Sequence, residues 1–177
     1  MLLFECRKTI CGILPSFVEN DVNTSCAAAL ECPSISNNCA GDELLKPNEG
    51  ISLFSGTVNG LFGQLFEKGK FKEIEKLYSD LKSLYKDRFY IEIQRHGDTN
   101  EKGFEKFNLS KSLNLEIPLI ATNEVYYIDK NMHEAHDALI CIKNKSYVNE
   151  KDRIRFSDQH YLKSNSEMSE LFADLPE

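Results

Sequence analysis

From Leu44 onward the apolar positions follow two rhythms in turn. Ile51-Ser52-Leu53-Phe54 is a short apolar run with Ser55-Gly56 as its exit turn, the pattern of a brief buried strand. Gly60, Gly63 and Gly69 flank a short helical stretch carrying Leu61, Leu65 and Phe66. Phe71, Ile74, Tyr78, Leu81 and Tyr85 then recur every three or four residues, with Leu77 and Leu84 beside them, which predicts an amphipathic helix with a wide apolar face. On its other face Lys72, Lys76 and Lys82 alternate with Glu73, Glu75 and Asp80, a solvated surface rather than a phosphate-binding one. Residues 89–94 set Phe89, Ile91 and Ile93 against Tyr90, Glu92 and Gln94, the two-residue period of a strand. A helix follows over about 101–114 with Phe104, Phe107 and Leu113 expected inward, and Pro118 opens the next strand, a position that tolerates it. A helix near 131–143 comes next. Ser164 and Glu167 then form an S-x-x-E capping box ahead of Met168, Leu171 and Phe172. Strands alternating with helices predict an α/β fold with a largely parallel sheet or barrel.

The first 43 residues do not share this order. Cys6, Cys11, Cys26, Cys32 and Cys39 lie there, Cys141 alone lies beyond, and the Ser/Asn run from Ser34 to Asn38 follows Pro33. No C-x-x-C pair is present and the spacings do not match zinc-finger ligands. The composition break reads as an unassigned Cys-rich leader over 1–43, unrelated to the domain at 44–177, with a frameshifted or misjoined start as the sharper reading of it.

The totals narrow the class. The chain has 177 residues, 41% hydrophobic and 28% charged, enough for one domain with a core. A formal charge of −7 argues against a chain that wraps nucleic acid by itself. No apolar run approaches the roughly 18 residues of a membrane span. The N-terminus places its charges after its apolar residues, the reverse of a secretory signal, so a cytoplasmic location is expected and the sequons at Asn23, Asn108 and Asn144 read as chance matches.

Candidate chemistry gathers at two strand exits. Residues just past the carboxyl ends of strands form the site in α/β folds. His96 before Gly97, and Glu124 after Thr122-Asn123, are an imidazole and a carboxylate in such places, and together they are the candidate metal ligands. His133 and His136 stand three residues apart and do not make H-E-x-x-H; His136-Asp137 reads as a structural helix start packing back onto the core. Cys141 between Ile140 and Ile142 reads as core, and His160 receives no role. No P-loop, G-x-G-x-x-G or G-x-S-x-G elbow is present, and no catalytic residue is assigned.

Several words taken in order resemble a known family. They are Leu53-Phe54-Ser55-Gly56, the run Asp87-Arg88-Phe89-Tyr90-Ile91-Glu92-Ile93-Gln94-Arg95-His96-Gly97, Ile120-Ala121-Thr122-Asn123-Glu124-Val125-Tyr126-Tyr127, Glu134-Ala135-His136-Asp137-Ala138-Leu139-Ile140-Cys141-Ile142, and Tyr161-Leu162-Lys163 with Glu167-Met168-Ser169-Glu170-Leu171-Phe172. Residues 44–177 are similar to the polymerase-and-histidinol-phosphatase (PHP) domain of bacterial replicative DNA polymerase III alpha subunits. The resemblance implies a distorted seven-stranded β/α barrel, present here in part. Its strand ends hold up to three divalent metals (zinc, manganese or magnesium) and support 3′–5′ exonuclease or phosphoesterase chemistry where every ligand is kept.

The chain departs from that pattern. The family's early ligands, including a histidine pair, belong upstream of Leu44, and residues 1–43 contain no histidine. The late strand, Asn-Asp-x-His in the family, reads Asn123-Glu124-Val125-Tyr126. The chain ends at Pro176-Glu177, before any polymerase core. His96 and Glu124 are the ligands that the resemblance carries over, too few for a metal cluster. The expectation is a portion of a replicative alpha subunit whose PHP unit is structural, with the rest of that subunit and the replisome as partners and DNA contacted through the parent polymerase only. Two alternatives stand beside it: a free-standing metal-dependent phosphoesterase, and a non-catalytic module binding zinc through Cys26, Cys32 and Cys39. Missing strands are expected to leave edges and apolar surface exposed, with marginal stability.

Overall fold

A computed structural model describes residues 52–175, together with the backbone of residues 3–7 and 28–29. Its centre is three parallel strands, β3 (Leu53–Phe54), β4 (Phe89–Ile93) and β5 (Leu119–Glu124). Two short strands at the edges, β1 (Leu3–Arg7) and β2 (Ala28–Ala29), extend the order to β1-β5-β4-β3-β2, every pairing parallel. The seven strands of a closed barrel are not among the described residues. Most of the leader, including Cys26, Cys32 and Cys39, lies outside them, as does Ile51.

Parallel strands need long crossovers, and helices supply them. Helices α1 (Leu61–Glu67) and α2 (Phe71–Tyr85) connect β3 to β4, and α3 (Glu101–Leu115) connects β4 to β5. Beyond β5 come α4 (His133–Asn144) and α5 (Asn165–Leu171). The predicted capping box is formed: the Ser164 hydroxyl accepts from the Glu167 N–H, and Glu167 accepts from the Ser164 N–H.

The periodic face of α2 is the core. Ile74, Tyr78, Leu81 and Tyr85 pack with Leu53, Phe62, Phe89, Ile91, Phe104 and Ile117. Phe66 sits between the three helices, its ring 5.4–5.6 Å from those of Phe71, Phe104 and Phe107. A second cluster of Ile93, Ala121, Met168 and Phe172 joins the strand ends to α5.

Two expectations need correction. Leu113, expected inward, is 81% exposed. The buried stripe of α3 runs through Glu101, Phe104, Asn108 and Ser112, at helical spacing but with polar members. Each polar side chain has a partner: Tyr78 donates its hydroxyl to Asn108 Oδ1 (3.0 Å), and Ser112 donates to the Ile117 carbonyl (2.7 Å). On β4, Glu92 and Gln94 are buried like their apolar neighbours, because both faces of this central strand are covered. Glu92 accepts from Gln94 (3.2 Å) and from the Thr122 hydroxyl, so the buried face is knit by side-chain bonds across β4 and β5.

Two glycines give opposite expectations. A Cβ on Gly63 would lie 1.9 Å from the Val58 carbonyl oxygen, whereas on Gly103 its nearest neighbour would be the Phe66 ring at 3.7 Å. Gly63→Ala is therefore expected to destabilise by about 1–3 kcal/mol through overpacking, and Gly103→Ala to stabilise by up to about 1 kcal/mol through helix propensity. Urea unfolding of both variants checks the pair; equal effects would contradict the packing described.

Candidate metal centre

The site is assembled where β4 and β5 end. After Ile93 the chain runs through Gln94 and Arg95 to His96 and turns at Gly97, whose φ of 83° is the left-handed conformation that glycine adopts without strain. Glu101, the first residue of α3, fixes this turn. Its carboxylate accepts the N–H groups of His96 (2.9 Å), Gly97 (2.7 Å) and Asp98 (3.2 Å), and its Oε1 lies 3.4 Å from His96 Nδ1. A carboxylate at a helix start also meets the positive end of the helix dipole. Burial alone would raise the Glu101 pKa; the bonds from the His96 side chain and from the His96 and Gly97 amides outweigh it and hold the carboxyl below its ordinary 4.5.

On its other side the buried His96 ring meets β5. Its Nε2 lies 3.1 Å from Asn123 Oδ1 and accepts the Glu124 N–H at 3.2 Å. Asn123 is itself held, donating to the Tyr161 carbonyl (2.7 Å) while its Oδ1 accepts from the buried Lys163 ammonium (3.1 Å). Arg95 anchors the outer rim: it pairs with Glu105 and Asp174 at 2.5 Å each and lies 4.7 Å over the Phe172 ring.

His160, which the sequence left without a role, is central. A parallel bridge between Tyr127 and Tyr161 lays this segment along the end of β5, with Tyr126 N–H donating to the His160 carbonyl (2.9 Å). The His160 ring, 1% exposed, stacks on His96 with centroids 4.1 Å apart and planes 5° from parallel. Its Nδ1 faces the Glu124 carbonyl at 3.1 Å, while its Nε2 is buried without a hydrogen-bond partner. Burial first, and then the neighbouring His96, push its pKa down to about 4, so the ring is neutral at pH 7.

Among the described residues, the donor group that could hold a metal ion is His96, Asp98 and His160, whose ligand atoms lie within 4.8 Å of one another. Asp98 is half-buried and lines a cleft of about 700 Å³ together with His96, Glu101 and Gln159. Burial, and then the Glu101 charge, raise the Asp98 pKa. Glu124, the second expected ligand, stands beside this group but offers it main-chain atoms. Its carboxylate accepts the Tyr126 hydroxyl at 2.6 Å, and Tyr126 in turn packs on His136 and His160. Asp137, one turn into α4, is buried and held by Arg153 through two bonds of 2.5 and 2.6 Å, in keeping with the structural reading of His136-Asp137. Cys141 is buried as expected. A second depression of about 770 Å³, between Lys82, Lys86 and Pro118, lies at the opposite ends of the strands, away from these groups.

No protein-family model matches the chain. Similarity to individual proteins is clear. The chain is 38% identical over 130 residues to the DNA polymerase III subunit alpha of Caulobacter vibrioides, covering 73% of this chain and 11% of the relative. Against the subunit of the same name from Rickettsia bellii it is 37% identical over 142 residues (80% and 12%), and against that of Vibrio cholerae 33% over 135 residues (76% and 12%). All three carry the name DNA polymerase III subunit alpha. The chain spans about a tenth of the length of the relatives it matches, 11–12% in these three.

Acid sensitivity follows from the two shifted groups. His160 has a folded pKa below its ordinary 6.5, so the unfolded chain binds more protons than the folded one between pH 6.5 and about 4, and stability falls as pH drops through that window. Glu101, depressed below 4.5, adds a loss at still lower pH. In chelator, unfolding free energy should decline from pH 6.5 downward, and His160→Gln should flatten the slope above pH 4.5 without removing the drop below it. An unchanged slope in the variant would contradict the placement of His160.

Proposed function

We propose that this chain is part of a bacterial DNA polymerase III alpha subunit, from the C-terminal portion of its PHP domain, serving as a structural support rather than as a catalytic unit. The parent protein would be a DNA-directed DNA polymerase, a nucleotidyltransferase of DNA replication in the cytoplasm. It would touch DNA through its polymerase core and partner the remaining replisome subunits. The observation that carries the reading is 33–38% identity to subunits of that name across about three quarters of the chain. The strand-exit placement of His96 supports the PHP assignment. No helix among the described residues is long and apolar enough to cross a membrane, which agrees with a replisome setting.

The site favours support over chemistry. A phosphoesterase cluster needs several metal ions to activate water and to clamp the scissile phosphate. The described donors amount to one small group, and the Glu124 carboxylate is engaged by Tyr126. With manganese, magnesium or zinc added, the chain is expected not to release 3′-nucleotides from single-stranded DNA. Metal-dependent release that His96→Ala abolishes would favour the free-standing phosphoesterase instead.

Helix α4 adds support for a covering partner. Leu139 and Ile142 are 63% and 75% exposed, with the exposed Met132 about two and three turns before them and Tyr147 and Val148 beyond. Exposed apolar surface of this kind marks a buried face in a larger assembly. Leu139→Lys with Ile142→Glu should raise solubility while changing unfolding free energy by no more than about 0.5 kcal/mol per site. A larger loss of stability would mean that these side chains belong to this unit's own core.

The decisive experiment for the reading is to sequence the encoding locus and translate its flanks in every frame. An upstream segment with the paired histidines and a downstream polymerase core are expected. Unrelated flanks around an intact frame would overturn it.

A further inference from the structure

We propose that His96, Asp98 and His160 bind a single transition-metal dication of the zinc class, and that the ion clamps the segment around His160 to the exits of β4 and β5. The proposal goes beyond the polymerase reading and stands on geometry, whatever the parent protein is. It also differs from the ligand set that the resemblance implied: Glu124 is absent from it, and Asp98 and His160 enter.

Three observations meet at this point. The first is the convergence of two imidazoles and a carboxylate within 4.8 Å. The second is the His160 Nε2, a lone polar atom inside a ring that is 1% exposed, with no hydrogen bond to satisfy it. Buried polar atoms are paired as a rule, and an orphan needs a partner. A metal ion on Nε2 supplies one and leaves the Nδ1 contact with the Glu124 carbonyl in place. That arrangement, one ring nitrogen on the metal and the other on a backbone carbonyl, is the usual support of a metal-bound histidine. The third is Glu101. Its carboxylate beside His96 Nδ1 favours the tautomer with the proton there and leaves Nε2 unprotonated, so the lone pair that accepts the Glu124 N–H is the one that would turn to the ion. Three backbone N–H groups prevent Glu101 from turning away.

The donor set selects the ion. Two neutral imidazoles and one carboxylate suit zinc and its neighbours, whereas magnesium and calcium want a shell of oxygens. Three protein ligands leave a fourth position open for water. Rings 5° from parallel cannot both aim an in-plane lone pair at one ion, so binding must tilt a ring out of the stack. His160 is the ring to turn, because its Nε2 has no bond to break.

Cobalt(II) is the probe, because its visible spectrum reports ligand type as well as occupancy. The full 177-residue chain is titrated with cobalt, then with zinc in competition, beside Asp98→Asn, His160→Ala and a variant with Cys26, Cys32 and Cys39 changed to serine. The expected result is one cobalt per chain without thiolate charge-transfer absorption, unchanged in the serine variant. Weakening should be at least about tenfold in Asp98→Asn and more in His160→Ala, since even outer-shell changes at such sites cost roughly 10–100-fold in affinity. Asp98 lies half-exposed on a loop, so its variant stays informative if His160→Ala fails to fold. No cobalt uptake by the parent chain, uptake carrying thiolate bands, or uptake of undiminished affinity in Asp98→Asn would each overturn the proposal. None of these outcomes bears on the polymerase reading, which the locus sequence tests separately.

Discussion

The candidate site depends on the grip of one carboxylate. Glu101 begins α3, and from there it takes three successive backbone N–H groups of the turn that leaves β4. A buried charge without partners would cost several kcal/mol; one that gathers three donors at a helix start instead becomes the fixed point of its surroundings. Helix and strand are locked together at the carboxyl end of the sheet, and His96 is held facing β5. Everything else at the site is set by that orientation: the contact with Asn123, the stack with His160 and the nearness of Asp98.

The sheet makes the grip useful. Parallel pairing puts Ile93 opposite Ala121, so the residues that follow each strand emerge side by side. The Tyr127–Tyr161 bridge then brings in a segment more than 30 residues downstream and closes the site from the far side. Lys163 and Asn123 tie that segment to β5 through buried polar bonds, while Arg95 ties the start of the turn to α3 and to the end of α5. The result is a junction of polar bonds beside the two apolar clusters.

Much of this was legible in the residues. The period of Phe71, Ile74, Tyr78, Leu81 and Tyr85 specified α2 and its inward face, and Ser164 with Glu167 marked the start of α5, because local chemistry decides both. His96 was legible as a strand-exit residue. His160 was not: nothing near it in sequence distinguishes it from a surface histidine, and its role arises from contacts with residues 36 and 64 positions away. Asp98 was hidden for a related reason, since it joins His96 only when Glu101 folds the turn back. Leu113 was misplaced because α3 buries Asn108 and Ser112 through hydrogen bonds, so its inward face does not coincide with its apolar residues. The one signal that could have exposed the pairing was the short polar spacing His96-Gly97-Asp98 with Glu101 behind it, a turn that collects donors and acceptors in six residues.

The central claim is that Glu101 holds the turn and thereby sets His96. Amide hydrogen exchange resolved at single residues tests it most directly. The account predicts that the His96, Gly97 and Asp98 amides exchange slowly, like those of β4, and that Glu101→Ala releases all three together. Fast exchange at these amides in the parent chain, at the rate of an open loop, would contradict it.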